Sequence, residues 1–436
     1  MHKFRASLLF LFPLTLSYPR QNYVGDPEAY MTVPEIIERW GYPVEQHSVI
    51  TEDGYVLILH RIPHGKKESS KNSSTKKPVV FLQHGLLCTS SVWVMNKPYQ
   101  SAAFIFADKG FDVWMGNNRG NTYSREHLEY DTTDPLYWHF TWTEMAMYDM
   151  PAMIDGVLNY THQPFLYYVG HSQGTLTMFT FLSERANMNK KIRKFFAIAP
   201  VATIAHVKGL FALLGRNMYQ QFQLFSLVFG DTEFLPNNLF TRIVTEFICG
   251  LKSKDPVCEN FIFQLSGPDS HQLNKTRIGV YLAHNPAGTS TRNMMHFAQM
   301  VKHGQHAPFD YEIPSLNIQY YGNPVPPVYN LSKISTDIYL FYSDADWLAT
   351  GRDIREYLIP SIDEKYLKGI ERLSDFNHND FLWGLRAPNQ IYHPIDDIIT
   401  NDWRNQTAWS GSDEDGDSNE FRKNSIEKPL DQDRNK

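Results

Sequence analysis

The chain has 436 residues and a formal net charge of -6, with 42% hydrophobic and 14% aromatic residues. That length suits one large α/β domain carrying an insertion, with ample apolar material for its core. The near-balanced charge and the absence of a basic stripe argue against a nucleic-acid partner.

The chain opens with MHKFRASLLFLFPLTLSYPRQ. Lys3 and Arg5 precede an apolar stretch, Ala6 to Leu16, which is of signal-peptide length and too short to span a bilayer comfortably. Thr15 and Ser17 are the small residues that a cut after Ser17 requires, so residues 1–17 are expected to be a secretory signal peptide. No later apolar segment reaches about 18 uninterrupted residues, so no transmembrane helix is expected. Secretory passage gives meaning to the sequons at Asn72, Asn159, Asn274, Asn330 and Asn405, each expected on a surface loop as a glycan acceptor. It also gives meaning to the cysteines. Cys249 and Cys258 lie nine positions apart and are the easy pair to join, leaving Cys88 free.

Residues 66–77, KKESSKNSSTKK, read as an exposed loop between two strands, YVLILHRIP and PVVFLQHG. Further strand-like runs follow: FDVWMGN at 111–117, FLYYVGH at 165–171 and KFFAIAPVA at 194–202. Helical spacing lies between them, as from Thr143 to Tyr160. This alternation predicts an α/β fold, a mostly parallel sheet with helices on both faces. From 203 to 327 the chain is rich in Phe, Leu, Met and His and closes on YYGNPVPPVYN, which reads as a helical insertion. Strand-like text resumes with DIYLFYSDAD and YLKGIERLSDFNH. The expected organisation is a core of residues 18–202 and 328–407, an insertion of 203–327, and a charged, disordered tail of 408–436.

Gly170, Ser172 and Gly174 form G-x-S-x-G between a predicted strand and a predicted helix. A nucleophile on such a turn adopts a strained backbone, and side chains at the flanking positions would collide with neighbouring elements. The hydroxyl needs a base, and the base needs an acid to orient it; in this architecture they follow the serine in the order acid, then histidine. The late strand supplies Asp344 and Asp346, which spacing alone does not separate. Beyond them lie His378, in DFNHNDFLW, and His393, beside a proline; His378 is placed better to swing over the serine. The oxyanion formed on carbonyl attack needs backbone donors, and the amides of Gln173 and of Leu86, in QHGLL, are suited to supply them.

With these residues in view, the chain resembles the acid lipase family of α/β-hydrolases, which includes gastric and lysosomal acid lipases. The resemblance rests on IIERWGYPVEQHSVITEDGYVLILHRIPHG, FLQHGLL, DVWMGNNRGNTYSREH, VGHSQGT, DADWLA and NHNDFLWG, and covers roughly residues 33 to 390. It implies an α/β-hydrolase fold in which 203–327 forms a cap and lid. It selects Asp346 over Asp344, assigns the histidine role to His378 and the oxyanion donors to Leu86 and Gln173, and sets a cap disulfide on Cys249 and Cys258. The implied activity is hydrolysis of triacylglycerols or cholesteryl esters at a lipid–water interface by a secreted or lysosomal enzyme. The greasy insertion points the same way, since it must cover something apolar. No cofactor is expected, and no HExxH or Cys/His cluster suggests a metal. Other readings are a carboxylesterase for smaller soluble esters and a non-catalytic lipid carrier; a broken triad would favour the carrier. The charged tail and Cys88 lie outside the family pattern.

Overall fold

The structure, a computed structural model, describes residues 26–68, 76–217, 219–220, 228, 230–237 and 262–416. Eleven strands are defined among them: β1 (Glu45–Ile50), β2 (Tyr55–Ile62), β3 (Val79–Gln83), β4 (Asp112–Gly116), β5 (Glu126–His127), β6 (Leu166–His171), β7 (Ile192–Ile198), β8 (Glu233–Phe234), β9 (Thr289–Ser290), β10 (Asp337–Ser343) and β11 (Leu367–Leu373). Nine of them join one sheet in the order β1-β2-β4-β3-β6-β7-β10-β11, with β5 paired to β2; β8 and β9 form a separate two-stranded sheet. From β4 to β11 every neighbouring pair is parallel, while β1, β2 and β5 are antiparallel additions at one edge.

The parallel centre follows from its sequence. VVFLQ, DVWMG and LYYVGH are buried at every position, as strands covered on both faces must be. Successive side chains point to opposite faces, so Val80, Leu82, Tyr167 and Val169 enter one apolar layer while Val79, Phe81, Leu166 and Tyr168 enter the other. The edge strand β1 instead alternates half-buried and exposed residues.

The main helices are α1 (Val33–Arg39), α2 (Ala102–Asp108), α3 (Met150–Thr161), α4 (Gln173–Glu184), α5 (Gly209–Asn217), α6 (Ile278–His284), α7 (Thr291–His303), α8 (Pro314–Tyr321) and α9 (His393–Gly416). The helical text from Thr143 is interrupted by a π turn over Met145–Asp149 before α3 begins. Between β7 and β10 the described residues carry α5 to α8 and the small β8–β9 pair. Helix α9 runs on to Gly416, past the start of the expected tail, because extending a nucleated helix costs little even in polar sequence. Among the described residues no helix is long and apolar enough to cross a membrane.

The chain proceeds from β3 outward to β4, then returns to place β6 on the other side of β3. Strand order therefore reverses between β3 and β6, where connecting loops splay apart and leave a crevice at the carboxyl ends. The loops after β3 and β6 begin with His84 and Ser172.

Candidate active site

Ser172 lies between the last residue of β6 and the first of α4, with φ 55° and ψ −120°. A left-handed φ is costly for a residue with a side chain and persists only where its surroundings enforce it. Those surroundings are explicit. Ser172 N–H donates to the Ile198 carbonyl (3.1 Å), and the Ser172 carbonyl accepts from Thr175 N–H (2.8 Å) and Thr175 Oγ1 (2.7 Å). Thr175 Oγ1 in turn accepts from Val201 N–H (2.8 Å). The flanking glycines are required by contact. A Cβ on Gly174 would lie 2.6 Å from the Gln83 carbonyl oxygen, and one on Gly170 would lie 2.9 Å from that of Gly174.

Asp346 and His378 come together although 32 positions separate them. The loop after β10 buries Asp346 completely, and its Oδ1 accepts from the backbone N–H groups of Leu348 (2.8 Å) and Ala349 (2.9 Å). Its Oδ2 lies 2.8 Å from His378 Nδ1. An ionised carboxylate can only accept, so His378 carries its proton on Nδ1 and leaves Nε2 free to take another. The ring centroids of His378 and His171 are 4.8 Å apart, which brings the imidazole to the residue preceding Ser172. His171 Nε2 donates to the His378 carbonyl (3.1 Å), and His378 N–H donates to the Ser266 carbonyl (3.0 Å). Burial, and then the adjacent His378, push His171 well below the usual imidazole range, so it is a neutral prop. Asp344, the other carboxylate of the DAD run, points elsewhere and is engaged by Arg355 and Arg372. His393 opens α9.

The loop after β3 closes the site from the other side. Gly85, the residue before Leu86, sits so near the elbow that a Cβ would lie 3.0 Å from the Cβ of Ser172. His84 holds this loop from within. Its Nε2 accepts from Asn118 N–H (3.2 Å) and Asn121 Nδ2 (3.1 Å), so its Nδ1 donates to the Gly85 carbonyl (2.8 Å). Burial lowers the His84 pKa to about 4, which keeps this tautomer neutral. Gln173 is the first residue of α4 and is buried. Its backbone amide lies at the positive end of the helix dipole.

Residues between β7 and β10 touch each of these loops. Ala287 N–H donates to the Leu87 carbonyl (2.8 Å), Trp347 N–H donates to the Ser266 carbonyl (3.2 Å), and Asn293 donates to the Gln173 side chain (2.9 Å). Asn293 lies in no motif, and although His171 and Thr175 fall within VGHSQGT, their supporting roles were not foreseen from the sequence. Cys88 is half-buried and free, and burial pushes its thiol up to about 12, away from the reactive thiolate. Cys249, Cys258 and Asn72 lie outside the described residues. Of the other sequons, Asn330 is exposed in a loop and Asn274 is half-buried, while Asn159 and Asn405 are exposed on α3 and α9. The expectation of a loop is thus corrected for those two, because the solvent-facing side of a helix exposes an asparagine equally well. Among the described residues no group of His, Cys, Asp and Glu has the geometry of a metal site.

Comparison with known proteins agrees with this architecture. Residues 33–97 match the model of the partial alpha/beta-hydrolase lipase region, and residues 78–243 match that of the alpha/beta hydrolase fold. Lipase lipl-3 of Caenorhabditis elegans is 49% identical over 401 residues, spanning 91% of this chain and 99% of its own. Gastric triacylglycerol lipase of Bos taurus is 42% identical over 377 residues (86% of this chain, 93% of its own), and that of Homo sapiens 40% over 397 residues (91% and 98%). A strand–elbow–helix serine turn on a largely parallel sheet defines an α/β-hydrolase. Within that class the chain belongs to the acid lipase family, alongside the gastric triacylglycerol lipases.

Proposed function

We propose that the protein is a serine hydrolase cleaving the carboxylic ester bonds of neutral lipids, triacylglycerols or cholesteryl esters, through an acyl-enzyme on Ser172. The observation that carries this reading is the imidazole of His378, anchored by buried Asp346 and packed against His171, the residue before the strained Ser172 turn. The names of the relatives, gastric triacylglycerol lipase among them, support the substrate class.

In this mechanism His378 Nε2 takes the hydroxyl proton as Ser172 Oγ attacks the ester carbonyl carbon. The carbonyl electron pair moves to oxygen, where the Leu86 and Gln173 amides stabilise it. Collapse breaks the bond to the alcohol oxygen, which leaves with the proton from Nε2. Water then attacks the acyl-enzyme with His378 again as base, releasing the fatty acid. Asp346 stays ionised and holds the imidazolium. The segment 203–327 acts as cap and lid over this serine, a role supported by its bonds to the Leu87, Gln173 and Trp347 loops. Its exposed Leu213, Val228 and Leu235 suit contact with a lipid surface. The secretory reading of residues 1–17, with glycans at Asn72, Asn159, Asn274, Asn330 and Asn405 and a Cys249–Cys258 disulfide, belongs to the same proposal: an enzyme delivered outside the cell or to lysosomes.

The test is hydrolysis of emulsified triacylglycerol, sterol ester and a short soluble ester by the protein and by Ser172→Ala. The variant is expected to lose at least about 10³-fold in kcat on all three, and the parent to prefer emulsified lipid. Undiminished hydrolysis by Ser172→Ala contradicts the mechanism, and preference for the soluble ester contradicts the substrate class.

A further inference from the structure

We infer that Asn293 is a positioning residue for the oxyanion-binding amide of Gln173; the inference rests on the reading of Ser172 as nucleophile. Asn293 lies in the first turn of α7 and is completely buried. Its backbone N–H donates to Ser290 Oγ (2.9 Å). Its Oδ1 accepts from Trp142 N–H (2.8 Å), and its Nδ2 donates to Gln173 Oε1 (2.9 Å) and to Thr289 Oγ1 (3.0 Å). The Trp142 bond fixes which end of the amide is oxygen, because a backbone N–H can only donate. Asn293 therefore always presents a donor to Gln173.

That donor sets the Gln173 side chain. With Oε1 committed to Asn293, Nε2 is directed at Met145 Sδ (3.4 Å), a weak acceptor, so the Asn293 bond is the strong one. Both ends of the bond are buried, and breaking it leaves polar groups without partners. The peptide plane between Ser172 and Gln173 carries the amide that is to meet the oxyanion. It stands at the strained ψ of −120° on Ser172, from which it relaxes if its neighbour is released. A side chain clamped at residue 173 resists that relaxation. Oxyanion stabilisation depends on donors held in place before the charge appears, so the clamp acts on the transition state more than on bound substrate.

The experiment measures kcat and KM of Asn293→Ala, Gln173→Ala and the double variant, each normalised to active sites titrated with a phosphonate ester so that misfolded protein drops out. Each single variant is expected to lose about 10- to 100-fold in kcat with KM unchanged, and to bind an alkyl boronic acid, which forms a tetrahedral anion on serine, more weakly by the same factor. The double variant is expected to be no worse than the worse single, because each single already removes the Asn293–Gln173 bond. Full kcat per titrated site in either single variant, a loss seen in KM alone, or additive losses in the double overturns the inference. If Ser172→Ala is inactive in the same assay, that failure is confined to Asn293; if Ser172→Ala is active, the nucleophile assignment falls instead.

Discussion

His378 Nδ1 and Asp346 Oδ2 stand 2.8 Å apart, and the other oxygen of Asp346 is already saturated by two backbone N–H groups. The carboxylate therefore cannot turn away from the imidazole, and the imidazole cannot exchange tautomers without losing this bond. Asp346→Asn replaces an acceptor by a group that can present a donor and is expected to lower kcat by about 10⁴-fold. Asp344→Asn serves as the contrast. It weakens only partly exposed pairs to Arg355 and Arg372, so kcat is expected to be unchanged and stability to fall by less than about 1 kcal/mol. Steady-state kinetics of the two variants check this, and equal losses would refute the assignment of the acid.

Strain at the serine predicts a trade between stability and activity. At φ 55° and ψ −120° a glycine meets no Cβ penalty, whereas alanine keeps it. Ser172→Gly is expected to be more stable than Ser172→Ala by about 1 kcal/mol, both being inactive. Paired denaturant titrations read the difference; an alanine variant at least as stable as the glycine variant would show that the turn is relaxed.

His306 links α4 to the segment after α7. Its ring nitrogen Nε2 is 2.7 Å from Thr180 Oγ1, and the ring packs beside Trp142 and Tyr329. Burial lowers its pKa from 6.5 to about 3. For a base with a depressed folded-state pKa, the unfolded chain takes up the proton first, so its stabilising contribution is present above pH 6.5 and is lost as pH falls toward 3. His306→Gln does not titrate. It is expected to melt below the parent at neutral pH, with the deficit shrinking toward pH 4. Melting temperatures across that range test the sign, and a deficit that is constant or grows in acid contradicts it.

Asp380 works in the opposite sense. Burial raises its pKa from 3.8 to about 6, even though it accepts the Asn377 N–H (2.7 Å) in the loop that carries His378. Here the folded state holds the proton longer, so ionisation costs stability as pH rises through about 6, and nothing is lost below pH 3.8. Asp380→Asn keeps the acceptor without the charge. Its stability relative to the parent is expected to rise between pH 4 and pH 7 by up to about 3 kcal/mol. A flat difference across that range would show that Asp380 ionises freely.

The apolar runs made the parallel centre of the sheet readable, because strands buried on both faces have nowhere to put polar residues. β1 was not readable. Of its half-buried positions Glu45, His47 and Val49, two are polar, Glu45 covered by Arg61 and His47 by Trp114 and Tyr160, so no apolar alternation marks it. The glycines of the elbow and of HGLL were legible because close backbone approach admits one residue type. Asp344 and Asp346 were not separable by spacing, since what distinguishes them is two arginines 11 and 28 positions away. Asn293 left no local trace either: its four hydrogen bonds reach as far as 151 positions along the chain.

The most direct test of the account is to locate the covalent adduct of a lipid-like phosphonate ester by peptide mass spectrometry while lipase activity is followed. The account predicts one adduct per chain, on Ser172, formed in step with the loss of triacylglycerol hydrolysis. Hydrolysis that persists after Ser172 is fully modified, or inactivation that places the adduct on another residue, would contradict it.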